Sequence, residues 1–136
     1  MTDRRPADQV HPALTTRFCR LVGVRYPIVQ TGMGWVAGPR LVAATAEAGG
    51  LGILASATMT YPELVTAIAE VRSRTDRPFG VNMRTDVADV GERVTLMIDN
   101  GVRVASSPRP PRPSWWPDAA PPGWWSCPPS GRRAMQ

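Results

Sequence analysis

Continuously apolar segments alternate with amphipathic segments between Val24 and Ser106. The apolar segments follow one another at a spacing of about 25 residues, which leaves room for a helix after each strand. They are YPIVQ (26–30), LGILA (51–55), FGVNM (79–83) and VRVAS (102–106). Strands that are buried on both faces carry such uninterrupted apolar runs. The pattern therefore predicts four parallel strands that are covered by helices.

The amphipathic segments carry the start and stop signals of helices. Pro39 suits the first turn of one helix, and the pair Gly49-Gly50 suits its end. Thr60 and Glu63 have the spacing of a capping box at the start of the next helix. The residues predicted to face the sheet are Leu64, Ile68 and Val71 in that helix, and Val90, Val94, Met97 and Ile98 in the segment 87–101. The alternation indicates an α/β fold, either a doubly wound sheet or a (β/α)8 barrel.

Composition and charge exclude several classes of function. All 16 basic residues are Arg, and the net charge is +5, but the Arg are scattered along the chain. A surface for nucleic acid or membrane needs clustered positive charge, so we expect neither partner. Residues 1–15 form a polar leader, predicted to be disordered, without the apolar segment of a targeting signal. No run reaches membrane-spanning length, so we expect a cytoplasmic location.

The residues that usually carry nucleophilic or metal chemistry are sparse. Cys19 and Cys127 have neither disulfide-framework nor metal-ligand spacing, and we expect two free thiols. His11 is the single histidine and lies in the polar leader. The sequence therefore predicts no metal site and no catalytic residue within this chain.

Small and polar residues stand where the first and third predicted strands end. Gln30 ends the first strand, Gly32 and Gly34 flank Met33 just beyond it, and Asn82 lies near the end of the third. Glycines there let the main chain approach a ligand, and a buried Asn needs hydrogen-bond partners. An ordinary tight turn and a structural bridge between strands explain the same residues, and both alternatives stay open. The Gly-x-Gly-x-x-Gly fingerprint of dinucleotide sites is absent.

The segments GVRYPIVQTGMGWVAGPRLVAATAEAGGLGILASATMT, RPFGVNMR and GVRVAS resemble the N-terminal part of the nitronate monooxygenase family, the 2-nitropropane dioxygenases. The resemblance runs from about Thr16 to Ser106, so residues 16–107 are expected to form about four βα units of a partial (β/α)8 barrel. It implies FMN, bound at the carboxyl ends of the strands. The flavin would be lined by the main chain of Gly32, Met33 and Gly34 and hydrogen-bonded by Asn82.

The resemblance also implies an activity. The family oxidises alkyl nitronates with O2, and its relatives include flavin-dependent enoyl-thioester reductases and acyl-CoA dehydrogenating enzymes of steroid breakdown. The expected substrate is therefore an alkyl nitronate or an acyl-CoA. Where the family usually has Ala-Pro-Met, this chain has Thr31-Gly32-Met33, which favours the acyl-CoA type.

Part of the family's barrel lies outside the region of resemblance, and several expectations follow from this. A complete barrel needs about 250 residues, and the family's catalytic histidine lies beyond the region of resemblance. We therefore expect the chain alone to be inactive and not to retain FMN. Exposed sheet edges predict self-association. A non-catalytic interaction polypeptide is the alternative.

Residues 108–136 differ in composition from the rest: nine of these 29 residues are Pro, and none is Leu, Ile, Val or Phe. Such a segment is predicted to be disordered. Trp has the single codon TGG, which fixes most of the nucleotides that encode WWP and GWWSCP. When these nucleotides are read from one base earlier, they encode apolar residues such as Leu, Val, Met and Ala. Such apolar runs are typical of the helix and strand that would come next in the barrel. We predict that a one-base shift near Ser106 or Ser107 puts these residues out of frame. A polyproline II ligand (PRPPRP) and an interfacial Trp/Arg segment are the alternatives, and each explains only a fragment.

Overall fold

The computed structural model describes residues 10–108 and 125–127. A short 3₁₀ turn precedes a strand–helix alternation that matches the one predicted from the apolar pattern. The elements are the 3₁₀ turn Pro12–Leu14, α1 (Arg17–Val22), β1 (Val29–Gln30), α2 (Pro39–Glu47), β2 (Leu51–Ala55), α3 (Tyr61–Arg74), β3 (Phe79–Asn82), α4 (Val90–Asp99), β4 (Val104–Ser106) and β5 (Trp125–Cys127).

All strands pair in parallel, and each strand lies beside the one that precedes it in the chain, in the order β1-β2-β3-β4-β5. A doubly wound sheet reverses its strand order at a switch point, whereas a (β/α)8 barrel adds strands in sequence. The order therefore confirms the partial barrel. Register is continuous around this arc: Ala55 pairs with Asn82, and Asn82 pairs with Ser106.

Two apolar clusters cover the two faces of the sheet. Leu54 belongs to the larger cluster, which lies between the sheet and the helices α2, α3 and α4. Its neighbour Ile53 belongs to a smaller cluster with Cys19 and Val22 of α1. Successive residues of a strand point to opposite faces, so a strand that is buried throughout needs cover on both. All five residues of β2 are buried for this reason.

A glycine sets the distance between α2 and β2. A Cβ added at Gly52 would lie 2.5 Å from the carbonyl oxygen of Val42 and 2.8 Å from its Cα. No side chain fits there, and the helix therefore packs directly on the strand. The close approach gives a physical reason for a glycine within the AGGLGIL segment.

The helix predictions are confirmed in their main features. Glu63 accepts a hydrogen bond from the Thr60 main-chain N–H at 2.7 Å, which forms one half of the predicted capping box. Of the seven residues predicted to face the sheet, six are buried: Leu64, Ile68, Val71, Val90, Val94 and Met97. Ile98 is half-buried and packs against the edge of the larger cluster.

The first strand is shorter and more exposed than predicted. Only two residues of the predicted segment 26–30 form β1, and Ile28 and Val29 are 62% and 46% exposed. Just before it, the main-chain N–H groups of Arg25 and Tyr26 bond to the carbonyl of Gly49. β1 is the terminal strand of the sheet and pairs on one edge only. The prediction of a buried first strand is wrong because no described element covers that edge.

Two short elements lie within the segments 1–15 and 108–136, for which the sequence predicts disorder. The described part of the leader contains the turn Pro12–Leu14, which the His11 side chain caps by accepting a hydrogen bond from the Ala13 N–H. Within 108–136, three residues form β5 and pair with β4, with Val104 opposite Trp125. The edge of β4 offers main-chain groups with which an extended segment can pair. The predictions for 1–9, 109–124 and 128–136 lie outside the described residues.

Candidate functional site

The carboxyl ends of β1, β2 and β3 lie side by side because the strands are parallel and in register. Each is followed by a loop that contributes polar or small residues: 31–38 after β1, 56–60 after β2 and 83–89 after β3. In sheets of this kind, ligands bind beyond the carboxyl ends of the strands. This edge is therefore the candidate site.

Gly32 and Asn82, which are 50 positions apart in the sequence, are brought into contact at this edge. A Cβ added at Gly32 would lie 2.6 Å from Cβ and 3.2 Å from Cγ of Asn82, and 3.6 Å from Cα of Ala55. Any other residue at 32 would push the loop away from β3. The two positions that were predicted to share one site therefore pack directly against each other. Their roles in binding a cofactor stay a prediction.

Ser56 fixes the main chain of Asn82 from the side of β2. Both its N–H, at 3.2 Å, and its hydroxyl donate to the carbonyl oxygen of Asn82, and its side chain is buried. On the other side, the Met83 N–H donates to the carbonyl of Ser106 at 2.8 Å. Asn82 is therefore held between two neighbouring strands. Sequence reasoning missed Ser56, although a polar residue directly after a buried strand is the signal that could have found it.

Two amide side chains lie at this edge. The Asn82 side chain is half-buried. Gln30 donates from Nε2 to the carbonyls of Ile53, at 3.2 Å, and of Thr31, while its Oε1 is buried without a partner in the same part. Buried polar atoms are normally paired, so an orphaned acceptor marks a place where a ligand donor fits.

The remaining predicted site residues lie in the loop after β1. Gly34 is exposed, and a Cβ there would lie 3.6 Å from Cγ2 of Thr58. The Met33 side chain is 39% exposed, and its carbonyl accepts hydrogen bonds from the N–H groups of Val36 and Ala37. The structure places the loop beside the β2–α3 loop, and its main chain is accessible at Gly34.

An ion pair on α4 fixes the loop after β2. The buried guanidinium of Arg93 donates to Asp89, at 2.9 Å, and to the carbonyl of Met59, also at 2.9 Å. The hydrogen bond from Arg93 lowers the pKa of the Asp89 carboxyl. Sequence reasoning did not find Arg93, because a charged residue on an amphipathic helix is predicted to be exposed when its tertiary partners are unknown.

A cleft opens at the same edge, between the loops that follow β1 and β2. It has a volume of about 310 Å³, near the lower end of ligand-site volumes. Trp35, Ala37, Thr58, Met59 and Glu63 are among the residues that line it. A smaller cavity of about 80 Å³ lies at the opposite, amino-terminal edge of the strands, beside Gly49 and Pro78. It is far from the strand ends that carry ligands in such folds.

The arrangement fits a planar, hydrogen-bonding cofactor such as the isoalloxazine ring of FMN. The Gly32 loop leaves its main chain close to the strand ends, and the buried Oε1 of Gln30 offers an acceptor that has no partner among the described residues. Residues 10–108 and 125–127 contain no group of three or more His, Cys, Asp or Glu side chains placed to hold a metal ion. Within the same residues, no helix is long and apolar enough to cross a membrane.

Comparison with known proteins agrees with this geometry. A sequence model of nitronate monooxygenase matches residues 15–106. The chain is 67% identical over 93 residues to a (3aS,4S,5R,7aS)-5-hydroxy-7a-methyl-1-oxo-octahydro-1H-indene-4-carboxyl-CoA dehydrogenase of Mycobacterium tuberculosis, a match that covers 68% of this chain and 26% of the relative. It is 44% identical over 70 residues to nitronate monooxygenase of Pseudomonas aeruginosa, covering 52% of this chain and 20% of that protein.

Solved structures show the same fold. FabK from Thermotoga maritima is 40% identical, with a TM-score of 0.64, and the match covers 68% of this chain and 30% of FabK. Nitroalkane oxidase from Streptomyces ansochromogenes is 28% identical, with a TM-score of 0.56, over 66% of this chain and 35% of that enzyme. The chain spans about a quarter of the length of the curated relatives named here.

Proposed function

The chain belongs to the nitronate monooxygenase family, and from that membership we propose that it carries the first half of the flavin site of an FMN-dependent oxidoreductase. The contact between Gly32 and Asn82 at the carboxyl edge of the sheet carries the proposal. It joins the two segments that the family resemblance assigns to the flavin, and it places the half-buried Asn82 side chain at the same edge.

We propose an acyl-CoA thioester as the substrate, with dehydrogenation as the reaction. Support comes from the relatives named as carboxyl-CoA dehydrogenases of Mycobacterium tuberculosis and Rhodococcus jostii, which are 67% and 64% identical over 93 residues. Nitronate oxidation is the second candidate, supported by the 44% identity to the Pseudomonas aeruginosa enzyme. The higher identity favours the thioester.

FMN, when bound, would accept the pair of electrons that the substrate loses. The residues of this chain would bind and orient it. Ser56 would hold the main chain of Asn82, whose side-chain amide would hydrogen-bond the ring, and the main chain of the loop 32–34 would lie against it. Gln30 would offer its Oε1 to a donor of the ligand. None of these groups moves a proton, so the acid–base chemistry would come from the remainder of a complete barrel.

We further propose that the residues after Ser107 are read out of frame and that the 136-residue chain is inactive and does not retain FMN. The similarity to the family model ends at residue 106, next to the point near Ser106 or Ser107 where we place the frame shift. β5 lies in register beside β4, where the fifth strand of a barrel belongs. The shifted frame encodes an apolar run at that same place.

One experiment tests these proposals together. The 136-residue chain and a version whose frame is restored by a one-base insertion at codon 106 or 107 are purified, and their visible absorbance is recorded. We expect a colourless short chain and a yellow restored protein with about one flavin per chain. A yellow, stoichiometric short chain would refute the incomplete site, and a colourless restored protein that folds would refute the flavin. Turnover of an acyl-CoA or an alkyl nitronate by the restored protein then separates the two substrates.

A further inference from the structure

Trp35 has a conformation and an exposure that are both unfavourable for its residue type. Its φ is 59°, in the left-handed region, and its side chain is 92% exposed. The left-handed region is unfavourable for a non-glycine residue, because its Cβ comes too close to the carbonyl oxygen that follows. The turn is held by hydrogen bonds from the N–H groups of Val36 and Ala37 to the carbonyl of Met33, at 3.1 and 2.8 Å. Such strain is typical of functional sites, where the fold holds a side chain for a ligand.

The cleft beside Trp35 has an apolar floor. Ala37 and Ala55 are buried at its base, and Met59 lies beside them. Thr58 adds a small side chain on the wall that adjoins Gly34. A large aromatic side chain standing above small apolar residues forms a surface that suits a saturated hydrocarbon ring.

Charge excludes an anionic occupant. Glu63 is the charged residue among those that line the cleft, and it accepts hydrogen bonds from the N–H and the hydroxyl of Thr60, at 2.7 and 2.8 Å. These bonds lower the pKa of its carboxyl, so it carries a negative charge at neutral pH. Among the residues that the structure describes, no basic side chain lines the cleft. Phosphate groups of a CoA thioester would be repelled here, whereas an uncharged acyl group would not.

We propose that Trp35 and this cleft bind the ring system of the acyl group and thereby select fused-ring carboxyl thioesters over short ones. The inference rests on the proposed function. Gly34 joins Trp35 directly to the loop assigned to the flavin, so a group in the cleft lies next to the place where substrate must react. Fused rings in the named substrate of the most similar relative reported above agree with a hydrocarbon pocket of this size.

The experiment measures binding of decahydronaphthalene-2-carboxyl-CoA and of acetyl-CoA to the 136-residue chain by saturation-transfer NMR titration. We expect the fused-ring thioester to bind at least tenfold more tightly than acetyl-CoA. Trp35→Gly removes the aromatic ring and relieves the backbone strain, so the variant folds at least as stably while its affinity for the fused-ring probe falls about tenfold. Trp35→Phe is expected to retain most of the affinity.

Val36→Ala is the matched control, since Val36 is the 63% exposed neighbour that does not line the cleft. Its affinity for the fused-ring probe should equal that of the wild type. Equal binding of both thioesters by the wild type, or full affinity in Trp35→Gly, would overturn the proposal. The flavin experiment is independent: loss of flavin in the frame-restored protein with ring selectivity intact would overturn only the proposed function.

Discussion

Gly32 lies directly against Asn82, so closely that a Cβ on Gly32 would stand 2.6 Å from the Cβ of Asn82. This packing joins the loop after β1 to the end of β3 across the candidate site. Gly32→Ala must displace one of the two, and we expect a loss of about 1–3 kcal/mol in the free energy of unfolding, measured in urea. Gly91→Ala is the control, because a Cβ there meets nothing within 4 Å. It lies in α4 and should instead stabilise the fold by about 0.5–1 kcal/mol. Equal effects of the two variants would contradict the contact.

The Asn82 amide gives a prediction about the flavin. In the frame-restored protein, Asn82→Ala is expected to weaken FMN binding about tenfold, because one hydrogen bond to a ligand is lost. The dissociation constant is measured by quenching of flavin fluorescence. Asn100→Ala removes an amide at the far end of α4, where it bonds to Leu96, and should leave FMN affinity unchanged. An unaltered affinity in Asn82→Ala would remove that residue from the flavin site.

The ion pair between Asp89 and Arg93 predicts a dependence of stability on pH. The hydrogen bond from Arg93 depresses the pKa of Asp89 in the folded state. The contribution of the pair is therefore complete above the pKa of the unfolded chain, about 3.9, and is lost as pH falls through the lower folded value. Urea unfolding of Asp89→Asn between pH 6 and pH 2 should show a shallower decline than the wild type.

Thr95→Ser is the control for that measurement, since Thr95 is an exposed residue of α4 without an ionisable group. Its free energy of unfolding should follow the wild-type pH curve. If the free energy of unfolding of Asp89→Asn depends on pH as that of the wild type does, the ion pair does not contribute to stability.

The exposed first strand predicts self-association, which we propose takes place through the edge of β1. Ile28 and Val29 are 62% and 46% exposed on a strand that pairs on one side only. Open edges with apolar side chains pair readily with other chains. The wild type should elute from size exclusion larger than a monomer, and Val29→Arg should shift it toward the monomer. Val65→Arg, on the exposed side of α3, should not. A monomeric wild type would contradict the prediction.

The codon argument predicts what the natural gene encodes. Resequencing of the locus should reveal one further base near codons 106–107, and mass spectrometry of the natural protein should detect no peptide from residues 108–136. A tryptic peptide that contains the Trp124-Trp125 pair in the natural protein would refute the frame shift.

The sequence by itself determined the order and type of the main elements. LGILA and FGVNM each carry a continuous apolar run, and these runs form β2 and β3. All residues of β2 and most residues of β3 are buried, because both faces of the sheet are covered by other side chains. The Thr60–Glu63 capping signal is local and needs no tertiary contact, so the start of α3 was predictable. Glycines and Asn82 at strand ends marked the candidate site, because parallel strands bring their carboxyl ends to one edge.

Only the tertiary structure decided how these elements are arranged. A local pattern contains no information on which strands are neighbours, so the pattern alone left barrel and doubly wound sheet open. The family resemblance implied the barrel, and the sequential order of β1 to β4 confirmed it. The burial of Arg93 and the contact of Gly32 with Asn82 depend on residues 34 and 50 positions away. The exposure of Val29 depends on which strand lacks a neighbour, and that is a property of the whole sheet rather than of the five residues around it.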